Sequence, residues 1–338
     1  MDAGSEAVDN GGVDDVSLMR TALDAATTAR TRTAPNPWVG AAVNVDDAVF
    51  SGATEPPGGR HAELVALDAA RAAGMDLVGA TIATTLEPCD HTGRTGPCTE
   101  AIIAAGIGRV VIGMTDPDPA VAGRGVERHR TAGIDGVTGL EADAVRAQLA
   151  PYLHHRRTGR PYVVLKLAAS IDGRTAAADG SSQWITGEEA RRDAHRLRAE
   201  SQAILVGSGT VRADDPTLTT RLVEGPRPRR IVLGSAPADA AVHPCTEWRG
   251  DLAELLDQLG ADGVLQLMVE GGANTAAQFH ADGLVDRYVV YLAPAHFGGG
   301  DARPLFVGAR APTIADVLRG RFEHVARLGG DLRIDVVV

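Results

Sequence analysis

Residues 80–98 read ATIATTLEPCDHTGRTGPC, and this stretch decides the fold. Ala80–Leu86 predicts a strand, Pro88-Cys89 stands at its end, and Cys98 follows nine positions after Cys89, behind Pro97. Upstream, His61 to Ala73 is an Ala-rich helix closed by Gly74, a C-cap signal. Residues 38–45 and Ala48–Ser51 predict two strands joined by a turn at Asp46-Asp47. Val16, Met19, Leu23 and Ala26 give 16–30 helical spacing. Downstream come a helix at Thr99–Ala105, a strand at Arg109–Gly113, and helices near 124–132 and 140–155. Strands alternating with helices predict a three-layer α/β domain over 16–153. Residues 1–15 carry five acidic residues and no basic one, and are expected to be a disordered lead-in.

The rhythm breaks at 154–161, His-His-Arg-Arg-Thr-Gly-Arg-Pro, where charge, Gly and Pro together predict a linker. A second α/β series then fills 162–338. Its predicted elements are a strand at Tyr162–Leu167, a helix at 187–199, and strands at 203–206, 230–233 and 264–269. A helix at 273–281, a strand at 286–292 and a closing strand at Leu332–Val338 complete it. The two halves share no motif. At about 150 residues per domain, 338 residues agree with two.

Charge excludes several classes. Positions 1–150 hold eleven basic and twenty-one acidic residues, net −10, and the whole chain carries −11. A nucleic-acid binder normally shows a basic face, so none is expected as partner. No run approaches the roughly 18 apolar residues of a membrane helix, and the start lacks a signal-peptide pattern, so a cytoplasmic protein without membrane contact is expected. Three Cys leave a remainder after pairing, and read as metal ligands, a nucleophile or buried small residues. The oligomeric state stays open, a homo-oligomer included.

His61-Ala62-Glu63 on a helix start, Pro88-Cys89 after a strand, and Cys98 together match the zinc-deaminase signature. Any one alone is weak, since a lone Cys is more often buried filler. Three ligands, His61, Cys89 and Cys98, leave one tetrahedral position for water. Glu63 then carries the proton from water to the ring nitrogen and the leaving ammonia. Nucleobase deaminases usually have two residues between the paired Cys; here there are eight. In that loop His91 and Arg94 suit a phosphate or ring carbonyl; the alternative is that they only hold the loop together. Asn36, in Pro35-Asn36-Pro37, suits a pyrimidine edge, the alternative being a plain turn. Asp116-Pro117-Asp118-Pro119 ends another strand at what should be the same rim.

The second half carries Lys166-Leu-Ala-Ala-Ser-Ile-Asp-Gly-Arg174, Ser181-Ser-Gln-Trp-Ile-Thr186, Gly207–Pro216 and Glu270-Gly271-Gly272. Gly pairs where a strand meets a helix admit a phosphate to backbone N–H groups, although tight turns are their usual meaning. No Gly-x-Gly-x-x-Gly occurs. Lys166 is the only Lys in the chain, against 32 Arg. Where a compact ammonium is needed, Arg does not substitute, so Lys166 is a candidate catalytic group; the alternative is a solvated lysine at a strand start.

These motifs, in this order and spacing from about Val16 to the end, resemble the bifunctional deaminase–reductase family of riboflavin biosynthesis. Val121-Ala-Gly-Arg-Gly125 adds to the match, and the long Cys-to-Cys loop is that family's form. The resemblance implies a cytidine-deaminase-like αβα domain followed by a dihydrofolate-reductase-like α/β domain. It implies Zn2+ and NADPH as cofactors and a pyrimidine ribosyl phosphate as substrate, deaminated and then reduced from ribosyl to ribityl. By matching motif, Ala168, Trp184, Thr210, Asp214, Ser235 and the turn from Gly272 line the NADPH site. Ser182, Arg198, Leu218, Arg221 and Glu270 hold the reductase substrate, the two Arg facing its phosphate. Asp118 departs from the family's more usual Asn, and Cys245 lies outside any motif. The rival reading is a nucleoside or tRNA-type zinc deaminase fused to a dihydrofolate-reductase-like domain; the acidic first half and the long Cys loop argue against it.

Overall fold

The computed structural model describes residues 13–91, 96–119, 121–308 and 311–338. The chain divides into two compact units after Ala150.

The first unit runs α1 (Asp15–Thr27), β1 (Gly40–Val45), β2 (Ala48–Ala53), α2 (Ala62–Ala72), β3 (Thr81–Leu86), α3 (Cys98–Ala104), β4 (Arg109–Met114), α4 (Arg124–Thr131), β5 (Asp135–Thr138) and α5 (Ala142–Gln148). Its five-stranded sheet has the order β2-β1-β3-β4-β5. β1 is antiparallel to both neighbours, and β3, β4 and β5 are parallel. On one face Leu18, Met19 and Ala22 of α1 pack on Ala42, Ala83 and Val111. On the other face α2 lies against β2, where a Cβ on Gly52 would meet the carbonyl oxygen of Ala62 at 2.6 Å. Glycine there seats the first turn of α2 directly on the sheet.

Of the expected lead-in, residues 1–12 lie outside the described residues. Its end is not disordered: Asp14 caps α1, its side chain accepting from Ser17 N–H, and Asp15 opens the helix.

The second unit runs α6 (Ala150–Thr158), β6 (Tyr162–Ser170), β7 (Arg174–Ala176), α7 (Glu188–Glu200), β8 (Ala203–Gly207), α8 (Ser208–Asp214), β9 (Arg229–Leu233), β10 (Thr246–Trp248), α9 (Leu252–Ala261), β11 (Gln266–Val269), α10 (Ala273–Ala281), β12 (Arg287–Ala293), β13 (Arg303–Pro304), β14 (Arg321–Leu328) and β15 (Asp331–Val337). The main sheet has the order β10-β9-β8-β11-β6-β12-β15-β14. Strands from β10 to β12 are mutually parallel, and the closing hairpin is antiparallel. Leu255, Leu256 and Leu259 of α9 and Phe279 of α10 fill the core over Val163, Leu165 and Leu167. The opposite parity, Lys166 and Ala168, faces α7, whose Asp193 accepts from the Tyr291 hydroxyl on neighbouring β12.

The expected linker at 154–161 is corrected. Residues 154–158 are the last turns of α6, a helix that buries Pro151, Tyr152 and Leu153. His155 Nε2 stands 3.0 Å from the Gly260 carbonyl, which ties this helix to α9. Only the Gly159–Pro161 turn remains of the joint. The helix expected at 140–155 is two helices, because Pro151 lacks the N–H and crowds the carbonyl four residues back.

Candidate active sites

Sheet topology brings the first site together. The ends of β2, β3 and β4 and the start of antiparallel β1 share one rim, where Gly40 N–H donates to Thr85 Oγ1 at 3.1 Å. His61 is the N-cap of α2, Cys89 follows β3, and Cys98 is the first residue of α3. His61 Nδ1 lies 3.5 Å from Cys89 Sγ and 3.3 Å from Cys98 Sγ. All three donor atoms fall within 4.8 Å of one another. One imidazole and two thiolates at that separation fit a tetrahedral zinc with its fourth position free. Glu63, in the first turn of α2 two residues after His61, is 3 % exposed, and burial pushes its carboxyl up to about 7 against the pull of His61.

Asn36 is half-buried in the turn before β1, at this rim. His91 is exposed just past Cys89, and Arg94 lies outside the described residues. Thr99 Oγ1 donates to Asp90 at 2.5 Å, holding the start of the Cys loop against α3.

The second site forms at the carboxyl ends of the parallel strands. Lys166 is the fifth residue of central strand β6, not a strand-start residue, and its side chain is 16 % exposed. Its Nζ donates to Glu270 Oε1 at 3.2 Å and stands 5.8 Å from the Tyr291 ring centroid. Arg198, in the last turn of α7, donates from Nε and Nη2 to the same carboxylate at 2.8 and 3.0 Å, and from Nη1 to Thr219 O. Burial alone would push Glu270 up, but Lys166 and Arg198 override it and hold its carboxyl down to about 2. Buried His195 is pushed down to about 4 by burial, then by Arg198 and Arg221, so these cations converge. Arg221 is exposed and lines a cavity of about 330 Å³ with Thr219, Glu224 and Arg227.

Ala168 shares the half-buried face of β6 with Lys166. Gly272 is the N-cap of α10, where no side chain caps the first turn, and its N–H donates to Thr210 Oγ1 at 3.0 Å. Helix N–H groups left open in this way fit a cofactor phosphate. Trp184 is exposed, with the Arg191 guanidinium 4.8 Å from its ring centroid. Ser182 is half-buried, and Asp214, the last residue of α8, is exposed. Ser235 accepts from Arg249. Leu218 buries its side chain and holds φ at 50°.

Two structural groups near these sites have no role that the sequence assigns, although Glu87 stands within the Leu86-Glu87-Pro88-Cys89 motif. Asp193 accepts from Tyr291 and Arg333, both at 2.8 Å or less, behind the ring on which Lys166 rests. Glu87, buried beside the metal ligands, accepts from four backbone N–H groups. Asp193 and Arg333 are 140 positions apart, so no local pattern announces them.

A zinc-ligand triad with a buried glutamate, followed by a parallel-stranded unit with a Lys–Glu–Arg cluster, defines an enzyme that joins a zinc-dependent deaminase to an NADPH-dependent reductase. The model for the cytidine and deoxycytidylate deaminase zinc-binding region matches residues 13–114, and that for the RibD C-terminal domain matches 161–334. The chain belongs to the RibD family of riboflavin biosynthesis proteins. It is 39 % identical to the riboflavin biosynthesis protein RibD of Escherichia coli, over 96 % of this chain and 99 % of that protein. Acinetobacter baumannii RibD superposes with a TM-score of 0.85 at 34 % identity, covering 96 % of this chain and 98 % of that one. A diaminohydroxyphosphoribosylaminopyrimidine deaminase/5-amino-6-(5-phosphoribosylamino)uracil reductase from Thermotoga maritima gives 0.84 at 31 % identity, covering 95 % and 98 %.

Proposed function

We propose that the first unit hydrolyses the 2-amino group of a diamino-ribosylamino-pyrimidinone 5′-phosphate, and that the second reduces the product's ribosyl group to ribityl. The observation that carries this is the His61, Cys89 and Cys98 donor set, with Glu63 buried in the first turn of the helix that His61 caps. Bound zinc supplies water with a pKa of about 7, and so a nucleophile at neutral pH. Glu63 would carry that water's first proton to the ring nitrogen and then the proton of the new hydroxyl to the amino group, so that ammonia leaves the carbon that keeps the oxygen as a carbonyl. Asn36, His91 and Arg94 are assigned to the pyrimidine and its phosphate.

NADPH held in this unit would supply the hydride needed at the ribosyl C1′. Lys166, on the face of β6 shared with Ala168, gives the proton that the ring oxygen needs. Glu270 holds that ammonium in place, and Arg198 completes the charge balance around Glu270. Arg198 spends Nε, Nη2 and Nη1 donors within the protein, so exposed Arg221 leads in binding the phosphate. Ser182 and the Leu218 backbone flank the ribose. Trp184, Thr210, Asp214, Ser235 and the Gly272 turn cradle the cofactor.

No helix among the described residues is long and apolar enough to cross a membrane. With net −10 in positions 1–150, this supports a cytoplasmic enzyme of small phosphorylated substrates rather than of nucleic acid.

The test is turnover of the diamino substrate with and without NADPH, by ammonia release and product mass. Glu63→Gln should abolish ammonia release while reducing the already deaminated compound at the parental rate. Loss of both activities in a folded variant would sink the assignment of separate sites.

A further inference from the structure

α4 begins at Arg124 with glycine as its N-cap, so its own cap residue has no side chain to satisfy the first-turn N–H groups. Glu87 satisfies them from another element. It stands one residue past the end of β3, is 4 % exposed, and spends both oxygens on backbone. Oε2 accepts from Asp116 N at 3.2 Å and Gly123 N at 2.9 Å. Oε1 accepts from Gly125 N at 2.9 Å and Val126 N at 3.2 Å. The amino-terminal end of the helix, with its partial positive charge, faces this carboxylate. β3 and β4 are parallel, with Leu86 opposite Met114, so the segment after β4 lies beside the turn carrying Cys89. The fit is close: a Cβ on Gly125 would stand 2.1 Å from the Pro88 carbonyl oxygen.

We propose that Glu87 is a positioning residue of the deaminase, fixing the segment after β4 as the wall that meets the pyrimidine. It binds neither metal nor substrate. Its carboxylate ties the backbone of Asp116, Gly123, Gly125 and Val126 to the Pro88-Cys89 turn, and so sets where the base sits relative to the zinc ligands. This rests on the first unit being a deaminase.

Glu87→Gln replaces one acceptor oxygen by an amide NH2 that faces N–H donors, which detaches one side of the segment. In the full-length protein we expect the deaminase KM to rise at least about tenfold, with kcat within about threefold. Zinc should stay near one per chain, and reduction of the deaminated compound should be unchanged. Gly125→Ala, which pushes α4 off Pro88 without touching charge, should give the same KM signature. Hydrogen exchange on the wild-type chain should show slow amides at Gly123, Gly125 and Val126, a readout independent of whether either variant folds. Fast exchange there, loss of zinc, a fall in kcat at constant KM, or unchanged kinetics would each overturn the proposal. A wild-type chain that releases no ammonia would instead refute the deaminase assignment, and the exchange data would still report on the Glu87 clamp.

Discussion

Replacing Glu270 by Gln tests whether the Lys166–Glu270–Arg198 cluster is a buried ionic unit. The side chains of Lys166, Glu270 and Arg198 are 16, 16 and 11 % exposed, so solvent screens the cluster little. In the folded chain the Glu270 carboxyl is held down to about 2 from an ordinary 4.5. At about 1.4 kcal/mol per pH unit, that difference corresponds to about 3 kcal/mol of stability. Removing one partner of a buried ion pair independently costs about 3–5 kcal/mol, because the other charges stay buried without it. A depressed carboxylate contributes in full above its unfolded value and loses that contribution as pH falls through its folded value. Glu270→Gln should therefore destabilise the second unit by about 3 kcal/mol at pH 7. The gap to wild type should be flat between pH 6 and 8 and should narrow below about pH 4.5, where only the parent carboxyl begins to gain a proton. Urea unfolding followed by tryptophan emission reads this, since Trp184 and Trp248 belong to the second unit and Trp38 to the first. A penalty under about 1 kcal/mol, or one that varies between pH 6 and 8, would refute the reasoning.

Two predictions join those made for Glu63 and Glu87. The parent should carry roughly one zinc per chain in elemental analysis, and Cys98→Ala should lose it; a folded parent that deaminates after exhaustive chelation would contradict the metal role. Lys166→Arg keeps the charge but spreads it where the ammonium fits between Glu270 and the Tyr291 ring, and should slow reduction at least about tenfold, about 1.4 kcal/mol, with deamination unchanged. Reduction at the parental rate would make Lys166 a structural residue.

The zinc donors are legible in the chain because each sits where local structure fixes it: His61 at a helix start, Cys89 at a strand end, Cys98 at the next helix start. Their types and spacing carry the chemistry before any fold is known. The same logic exposes α9 in hindsight. Asp251 caps it, accepting from Ala253 and Glu254 N–H, and Leu252, Leu255, Leu256 and Leu259 follow at helical spacing. β14 left no such trace, because neither of its faces is buried and its sequence does not alternate cleanly. It forms by pairing with β15, whose register comes from the turn between them.

The reductase site is harder to read because its logic is non-local. Glu270 meets Lys166 across 104 positions and Arg198 across 72, and only the sheet order β8-β11-β6-β12 brings them side by side. Glu270 and Arg198 alone read as ordinary charges, and Lys166 stands out only as the single Lys of the chain. Parallel packing then buries all three, and burial gives the arrangement its consequences. An isolated ammonium on β6 would be costly there; Glu270 makes it tenable, and Arg198 in turn keeps the carboxylate from taking a proton. The three positions are therefore coupled, and substitutions among them should not add independently. In the first site, a metal ion would hold together three donors that lie within 37 positions of one another. In the second, the same task falls to charge balance under a helix, which explains why residue types and spacing carry the first site while the mutual contacts of the second emerge from the fold.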